Sequence, residues 1–267
     1  MNFKPKLVAF DLDGTLAESK RPITAEMGEL LAELLRKMPV AIMSGASFEQ
    51  FQTQLLPQMP ETAHFEHLYL FPTNAAQCYI YRDHIWRVSY DRSFNAFEKG
   101  RIMQALKEVL AEAGLGDELA HPAEWGPRIE DRGAQIAFSA LGQKAPIEQK
   151  QLWHDAHEPE RKMLRESLAR RLPDFSVLEG GLTTIDIMQK GVDKAYGIRK
   201  LVELANISVA EILYVGDALA EGGNDSVVIN TGVHTHEVFG PDESAALIKN
   251  ILQAVHLVSP PLSPEQH

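Results

Sequence analysis

Two aspartates one residue apart, Asp11 and Asp13, close an apolar run in the stretch LVAFDLDGT, followed at once by Gly14 and Thr15. Other chemically useful residues stand far away in the chain. Ser44 and Gly45 end a second apolar run, Lys194 follows Asp193, and Asp217, Asn224 and Asp225 lie in GDALAEGGND. Carboxylates gathered in one place raise one another's pKa unless a cation balances them. Oxygen ligands of high negative charge suit Mg²⁺, which keeps part of its water and commonly bridges to a phosphate, and no Cys/His cluster of zinc type is present. Lys194 would sit in the first turn of a helix, where the dipole disfavours a cation by a few tenths to about 1 kcal/mol. Such a lysine makes sense against an anion, either a bound ligand or a carboxylate. Taken alone it reads equally well as solvent-exposed, like Lys190 and Lys200.

These residue types together fit phosphoryl transfer. Asp11 attacks phosphorus and forms an aspartyl-phosphate. Asp13 gives a proton to the leaving oxygen, then takes one from the water that resolves the intermediate. Thr15 and Ser44 hydrogen-bond phosphate oxygens, while Lys194 and Mg²⁺ neutralise charge on the transferred group.

The elements that must bring these residues together are read from periodicity. Residues 7–10 form a short apolar run of the kind buried on both faces of a parallel sheet. Thr24 caps a helical stretch with Met27, Leu30, Leu31, Leu34 and Leu35 at helix spacing, and Pro39 breaks it. A second buried strand at 40–43 leads to Ser44, and Ser47 to Gln50 form a capping-box pattern opening another helix. Strand, helix, strand, helix implies parallel pairing with crossovers. Further strands are expected at 68–71 and 78–81. The character changes after Trp86: helices at 97–113 and 159–172 alternate with paired extended stretches at 128–141 and 175–188, an α+β pattern. The doubly wound pattern resumes with a helix from Asp193, strands at 212–215 and 227–229, and a helix over 244–255. The proline-rich tail 259–267 reads as disordered. The fold expected is α/β: a doubly wound, mostly parallel, Rossmann-like core (1–86 and 187–267) interrupted by an inserted α+β cap (87–186). In such sheets functional groups collect in the crevice beyond the carboxyl ends of the strands, where Asp11, Ser44, Lys194 and Asp217 would meet.

Composition sets the outer bounds. The 267 residues have 45% hydrophobic and 24% charged content, ordinary for a globular protein of one large or two modest domains. A net charge of −11 argues against nucleic acid and anionic membrane as partners. The single cysteine, Cys78, excludes an intramolecular disulfide and reads as a small hydrophobe. With no apolar leader and no run of membrane-spanning length, the expected location is the cytoplasm. His154 and His157 read as a solvated helix end, His234 and His236 as surface loop, Trp125 and Trp153 as packing, and the charges of 160–171 as a wet helix face.

DLDGT after an apolar strand, a strand-end Ser-Gly, a lysine before a helix and GDALAEGGND, in this order, resemble the haloacid dehalogenase superfamily of phosphotransferases over nearly the whole chain. The insert resembles the type IIB cap, an open-faced antiparallel sheet with two helices. Within that group the pattern is similar to eukaryotic-type phosphomannomutases: the long loop from Gly216 to Asp225, Ser44-Gly-Ala-Ser-Phe-Glu49, Arg128-Ile-Glu-Asp-Arg132, and Gly180 to Asp186 followed by Gly191-Val-Asp-Lys194. The resemblance implies a metal held by Asp11, the Asp13 carbonyl and Asp217, backed by Asn224 and Asp225. It adds Gly45 to the phosphate loop, places Arg132, Thr184 and Asp186 on the sugar phosphate from the cap side, and raises pairing of two copies through the cap. It departs where Trp125 and Gln143 stand at positions the mutases fill with arginine. A mutase must bind a bisphosphate in two orientations, and each lost arginine removes a charge-assisted contact. The sequence therefore leans toward a Mg²⁺-dependent phosphatase acting on a small phosphorylated metabolite, a sugar phosphate, with a phosphosugar mutase as the alternative. A non-catalytic phosphoacceptor domain fits less well, since it has no use for Asp13 as acid/base or for so large a cap.

Overall fold

A computed structural model describes residues 3–18, 21–115, 123–221 and 223–256. Gly222 and the tail 259–267 lie outside the described residues. The chain divides into two compact units, 1–90 with 193–267, and 91–192.

The first unit is built on a seven-stranded sheet in the order β11-β10-β1-β2-β3-β4-β5. Strands β1 (Leu7–Asp11), β2 (Val40–Met43), β3 (Leu68–Phe71), β10 (Ile212–Gly216) and β11 (His234–Glu237) pair in parallel. β4 (Gln77–Arg82) turns back antiparallel to β3, and β5 (Ile85–Asp91) follows it at the edge. Alternate residues of the central strands enter different cores. Val8 and Phe10 of β1, Val40 and Ile42 of β2, and Leu213 and Val215 of β10 join one cluster, which also takes Leu31 and Leu35 of α1 (Ala25–Leu35), Phe51 of α2 (Phe48–Gln54) and Ile248. Leu7, Ala9, Ala41, Met43, Ile212 and Tyr214 point the other way, onto Ile198 and Leu201. Burial on both faces is why these strands are continuous apolar runs. Each fully covered Leu, Ile or Phe contributes roughly 1.5–3 kcal/mol.

The second unit has a four-stranded antiparallel sheet in the order β6-β7-β9-β8, with β6 (Ile129–Asp131), β7 (Gln135–Ser139), β8 (Phe175–Gly180) and β9 (Thr184–Gln189). Helix α3 (Ala96–Glu112) is opened by an Asn95–Glu98 capping box. Its Ile102, Leu106 and Val109 join Leu164 and Leu168 of α4 (Ile147–Arg171), with Ile136, Phe138, Ile185 and Ile187 of the sheet, in a separate core.

Several sequence expectations need correction. The boundaries expected at 86/87 and 186/187 would cut through β5 and β9; the units part instead at Tyr90/Asp91 and Val192/Asp193. β5 was hidden because its hairpin turn is Asp83-His84, both at positive φ (52° and 63°), without the glycine or asparagine that marks such a turn. α4 starts twelve residues before the expected Pro159: a proline, which suits a first helical position, here lies inside the helix at a kink where His157 leaves helical geometry. His154 and His157 are thus within the helix, and the His157 ring stacks on Trp153 at 5.0 Å. Residues 227–229 belong to a 3₁₀ helix, Ser226–Thr231, and the strand is β11, which carries His234 and His236. Arg161, expected on a wet face, is 5% exposed and donates to Glu179 at 2.6 Å. Cys78 is fully buried, and burial pushes its thiol up to about 12.

Candidate active site

The strand order places β10 and β2 on opposite sides of β1, so the connections leave in opposite directions at the carboxyl ends of β1 and β10. Crevices form at such switch points. Asp11 is the last residue of β1, level with Met43 of β2, so Ser44 begins one step beyond it. Asp217 follows Gly216 at the end of β10. After Asp11 the chain curls tightly: Leu16 and Ala17 N–H both donate to the Leu12 carbonyl at 2.9 Å, and Gly14 N–H donates to Ala17 at 2.7 Å. Leu12 is buried in the core, while Asp13, intermediate in exposure, stays near the surface. Gly14 has φ +87°, and a Cβ there would overlap the Asp217 carboxylate. The glycine therefore permits both the turn and the approach of the two strand ends.

Helix α5 (Lys194–Ala205) starts at Asp193, whose side chain accepts from Tyr196 N–H at 2.8 Å. Its first residue, Lys194, is 1% exposed and sends its ammonium to Asp11 Oδ1 at 2.5 Å and to Asp225 Oδ1 at 2.6 Å. Asp225, fully buried, also accepts from Tyr214 Oη at 2.6 Å and from Ala218 N–H at 3.3 Å. The Thr15 hydroxyl donates to Asp217 at 3.4 Å. Carboxylate oxygens of Asp11, Asp217 and Asp225 lie within 4.8 Å of one another.

Charge balance decides what this cluster can hold. Among Asp11, Asp217, Asp225 and Lys194, three anions face one cation. Burial alone would lower the Lys194 pKa, but Asp11 and Asp225 outweigh it and keep the ammonium charged. For Asp11, burial pushes the carboxyl up to about 7; Lys194 opposes that, and Asp225 and Asp217 add to it. Partial desolvation and then Asp225 raise the Asp217 carboxyl as well. The excess of two negative charges is what a divalent cation would remove, and an all-oxygen donor set suits a hard one. The residues present fit such an ion.

Most of the core residues expected from sequence converge here. Ser44 is 2% exposed and its Oγ accepts from Ala46 N–H at 3.0 Å, which leaves its O–H to donate. Gly45 lies beside Asn74. Asp225, expected behind the metal, stands in the carboxylate cluster itself, and its neighbour Asn224 is exposed. The cap residues belong to the other unit. Thr184 and Asp186 are two apart on β9 and so share a face. Arg132 donates through Nε and a terminal nitrogen to Glu130 at 2.8 and 2.6 Å. Gln143 donates to the Arg128 and Ala137 carbonyls at 3.4 Å.

Two features were missed by sequence reasoning. The Tyr214 hydroxyl reaches Asp225; a tyrosine in an otherwise aliphatic strand three residues before Asp217 was the available signal. Thr73, Asn74 and Ala75 all have positive φ (50°, 52° and 64°), and the turn they make is tied to the Ser44 loop by Asn74 N–H to the Ser44 carbonyl and Thr73 N–H to the Ala46 carbonyl, each 2.8 Å. No glycine announces that turn.

Comparison with known proteins follows the same lines. The family described as eukaryotic phosphomannomutase matches residues 27–254. A probable phosphomannomutase of Caenorhabditis elegans is 24% identical over 264 residues, covering 92% of this chain and 95% of that protein. The phosphomannomutase of Encephalitozoon cuniculi is 26% identical, covering 93% and 94%. Among solved structures, a haloacid dehalogenase-like hydrolase from Bacteroides thetaiotaomicron superposes with a TM-score of 0.61 at 16% identity, over 93% of this chain and all of that one. That likeness shows the fold.

Proposed function

Because the chain belongs to the eukaryotic phosphomannomutase family, within the haloacid dehalogenase superfamily, we propose that it is a phosphosugar mutase working through an aspartyl-phosphate on Asp11. The observation that carries the reading is the buried ion triad Asp11–Lys194–Asp225 at the switch point. It gives one carboxylate a fixed cation and a free oxygen, inside a cluster whose charge calls for a second, divalent cation.

Lys194 occupies Asp11 Oδ1, so Oδ2 is the oxygen left to attack phosphorus. The P–O bond to the sugar breaks as the Asp11–P bond forms, and Asp13 donates its proton to the departing oxygen. In the second half a sugar hydroxyl attacks the phosphoaspartate, Asp13 takes that proton, and Asp11 is released as carboxylate. Ser44 donates to a phosphoryl oxygen, the Thr15 hydroxyl turns from Asp217 to donate to another, and Lys194 opposes the charge that gathers on them. Mg²⁺, held by Asp11, the Asp13 carbonyl and Asp217 with Asp225 beside them, would neutralise phosphoryl charge and draw the anionic substrate to the nucleophile. On the strength of the resemblance we assign Arg132, Thr184 and Asp186 to the sugar phosphate.

The sequence alone leaned toward hydrolysis. Family membership along 27–254 now favours the mutase. Hydrolysis stays as the second reading because Trp125 and Gln143 stand where the resemblance puts arginines. In that reading water takes the place of the second sugar hydroxyl. Mannose 1-phosphate with Mg²⁺, with and without a hexose 1,6-bisphosphate, separates the two. A mutase forms the 6-phosphate, faster with the bisphosphate, and releases little inorganic phosphate. Stoichiometric phosphate with no isomer would establish hydrolysis and overturn the mutase reading.

A further inference from the structure

Tyr214 is fully buried in the middle of the sheet, between Ala9 of β1 and Thr235 of β11. As a space-filler it would serve as well without its hydroxyl, and a buried hydroxyl is unfavourable unless bonded. The hydroxyl ends 2.6 Å from Asp225 Oδ1, the same oxygen that receives Lys194 at 2.6 Å. Gly216 makes this possible: a side chain there would overlap Asp225 and crowd the Tyr214 ring.

A carboxylate has about four acceptor sites. Asp225 gives two of them on Oδ1 to Tyr214 and Lys194, and Oδ2 accepts from Ala218 N–H at 3.3 Å. With donors on both oxygens the carboxylate plane cannot turn, so the direction from which Lys194 is held is set. The ammonium then meets Asp11 Oδ1 along a fixed line. The order of donation runs Tyr214 to Asp225, Lys194 to Asp225, and Lys194 to Asp11.

We propose that Tyr214 is a positioning residue for phosphoryl transfer: its hydroxyl locks the Asp225 carboxylate so that Lys194 stays on the nucleophile. Without it, Asp225 keeps only Lys194 on Oδ1, turns to satisfy itself, and draws the ammonium away from Asp11. The proposal rests on Asp11 being the nucleophile.

Tyr214→Phe keeps the ring and removes the hydroxyl. With mannose 1-phosphate and Mg²⁺, kcat should fall about ten- to a hundredfold, the range for one lost hydrogen bond to a charged group, while KM stays within about twofold. Action through Asp225 is read in a double-mutant cycle on affinity for Mg²⁺ with orthovanadate, which needs no turnover. Tyr214→Phe should weaken vanadate binding in the native background and change it by less than about twofold in the Asp225→Asn background. Equal weakening in both backgrounds, an unchanged kcat, a lowered melting temperature with catalysis intact, or failure of the Phe variant to fold would each overturn the proposal. A native protein with neither turnover nor vanadate binding would instead overturn the functional reading beneath it.

Discussion

Replacing Lys194 with methionine keeps an unbranched apolar side chain of similar length and deletes only the charge. The ammonium is 1% exposed and within 2.6 Å of two carboxylates whose side chains are 6% and 0% exposed. Breaking a buried ion pair by removing one partner costs about 3–5 kcal/mol, because the other charge is left uncompensated. Here two anions lose their shared cation, so the upper half of that range is expected in metal-free protein. The deficit should depend on pH. Asp11 is raised from an ordinary 3.8 to about 7 in the folded protein, and loss of Lys194 removes a lowering influence. A carboxyl raised on folding binds a proton that the unfolded chain releases, so stability falls as pH rises from near 4 through the folded value. At pH 5 Asp11 holds its proton in both proteins. By pH 8 native Asp11 has passed its folded value of about 7 and its penalty has levelled off, while in the variant, whose carboxyl sits higher still, stability goes on falling. Urea unfolding in chelator should show the Lys194→Met deficit growing from pH 5 to pH 8. A deficit below about 1 kcal/mol at pH 8, or one equal at both pH values, would refute the reasoning.

Mg²⁺ competes with the proton for the same carboxylates, so its addition should raise the melting temperature more at pH 8 than at pH 5, measured by differential scanning calorimetry. Gly14→Ala forces an L-residue to φ +87° and sets a methyl group against Asp217, so Mg²⁺ affinity by titration calorimetry should drop about tenfold or more, with the fold retained. Arg161→Met leaves Glu179 without its partner at 2.6 Å and removes a donor to the Gly181 carbonyl. Because Glu179 is 28% exposed and keeps Arg165 Nε at 3.6 Å, its charge is not left uncompensated. The loss should fall below the roughly 3–5 kcal/mol of a fully broken buried pair, to about 1–3 kcal/mol, read from urea unfolding.

Strands β1, β2 and β10 were legible because burial on both faces leaves continuous apolar runs that give way abruptly to Asp11, Ser44 and Gly216-Asp217, and β3 because its apolar run LYLF stops at Pro72. Asp11, Ser44, Lys194 and Asp217 could then be placed together by topology, since strand ends in a parallel sheet share one edge. What stayed hidden was set by geometry without a residue signature. The Asp83-His84 turn adopts positive φ without glycine, so β5 went unread. Residues 227–229 are apolar and β-branched, yet the chain leaving Asp225 closes a 3₁₀ turn with Val228 N–H bonded to the Asp225 carbonyl at 3.0 Å. Tertiary demand overrode local propensity there. Asp225 was expected behind the metal because order in a loop says nothing of depth; its complete burial follows from Tyr214 and Ala218, which only the folded chain brings to it. Among the described residues no helix is long and apolar enough to cross a membrane.

The central claim is that Asp11 carries the phosphoryl group. Incubation with a ³²P-labelled hexose 1,6-bisphosphate and Mg²⁺, followed by acid quench, proteolysis and mapping, tests it most directly. The label should appear as an acyl phosphate on the peptide containing Asp11 and vanish on chase with unlabelled sugar phosphate. Label on Asp217, Asp225 or Ser44, or turnover without any labelled protein, would contradict it.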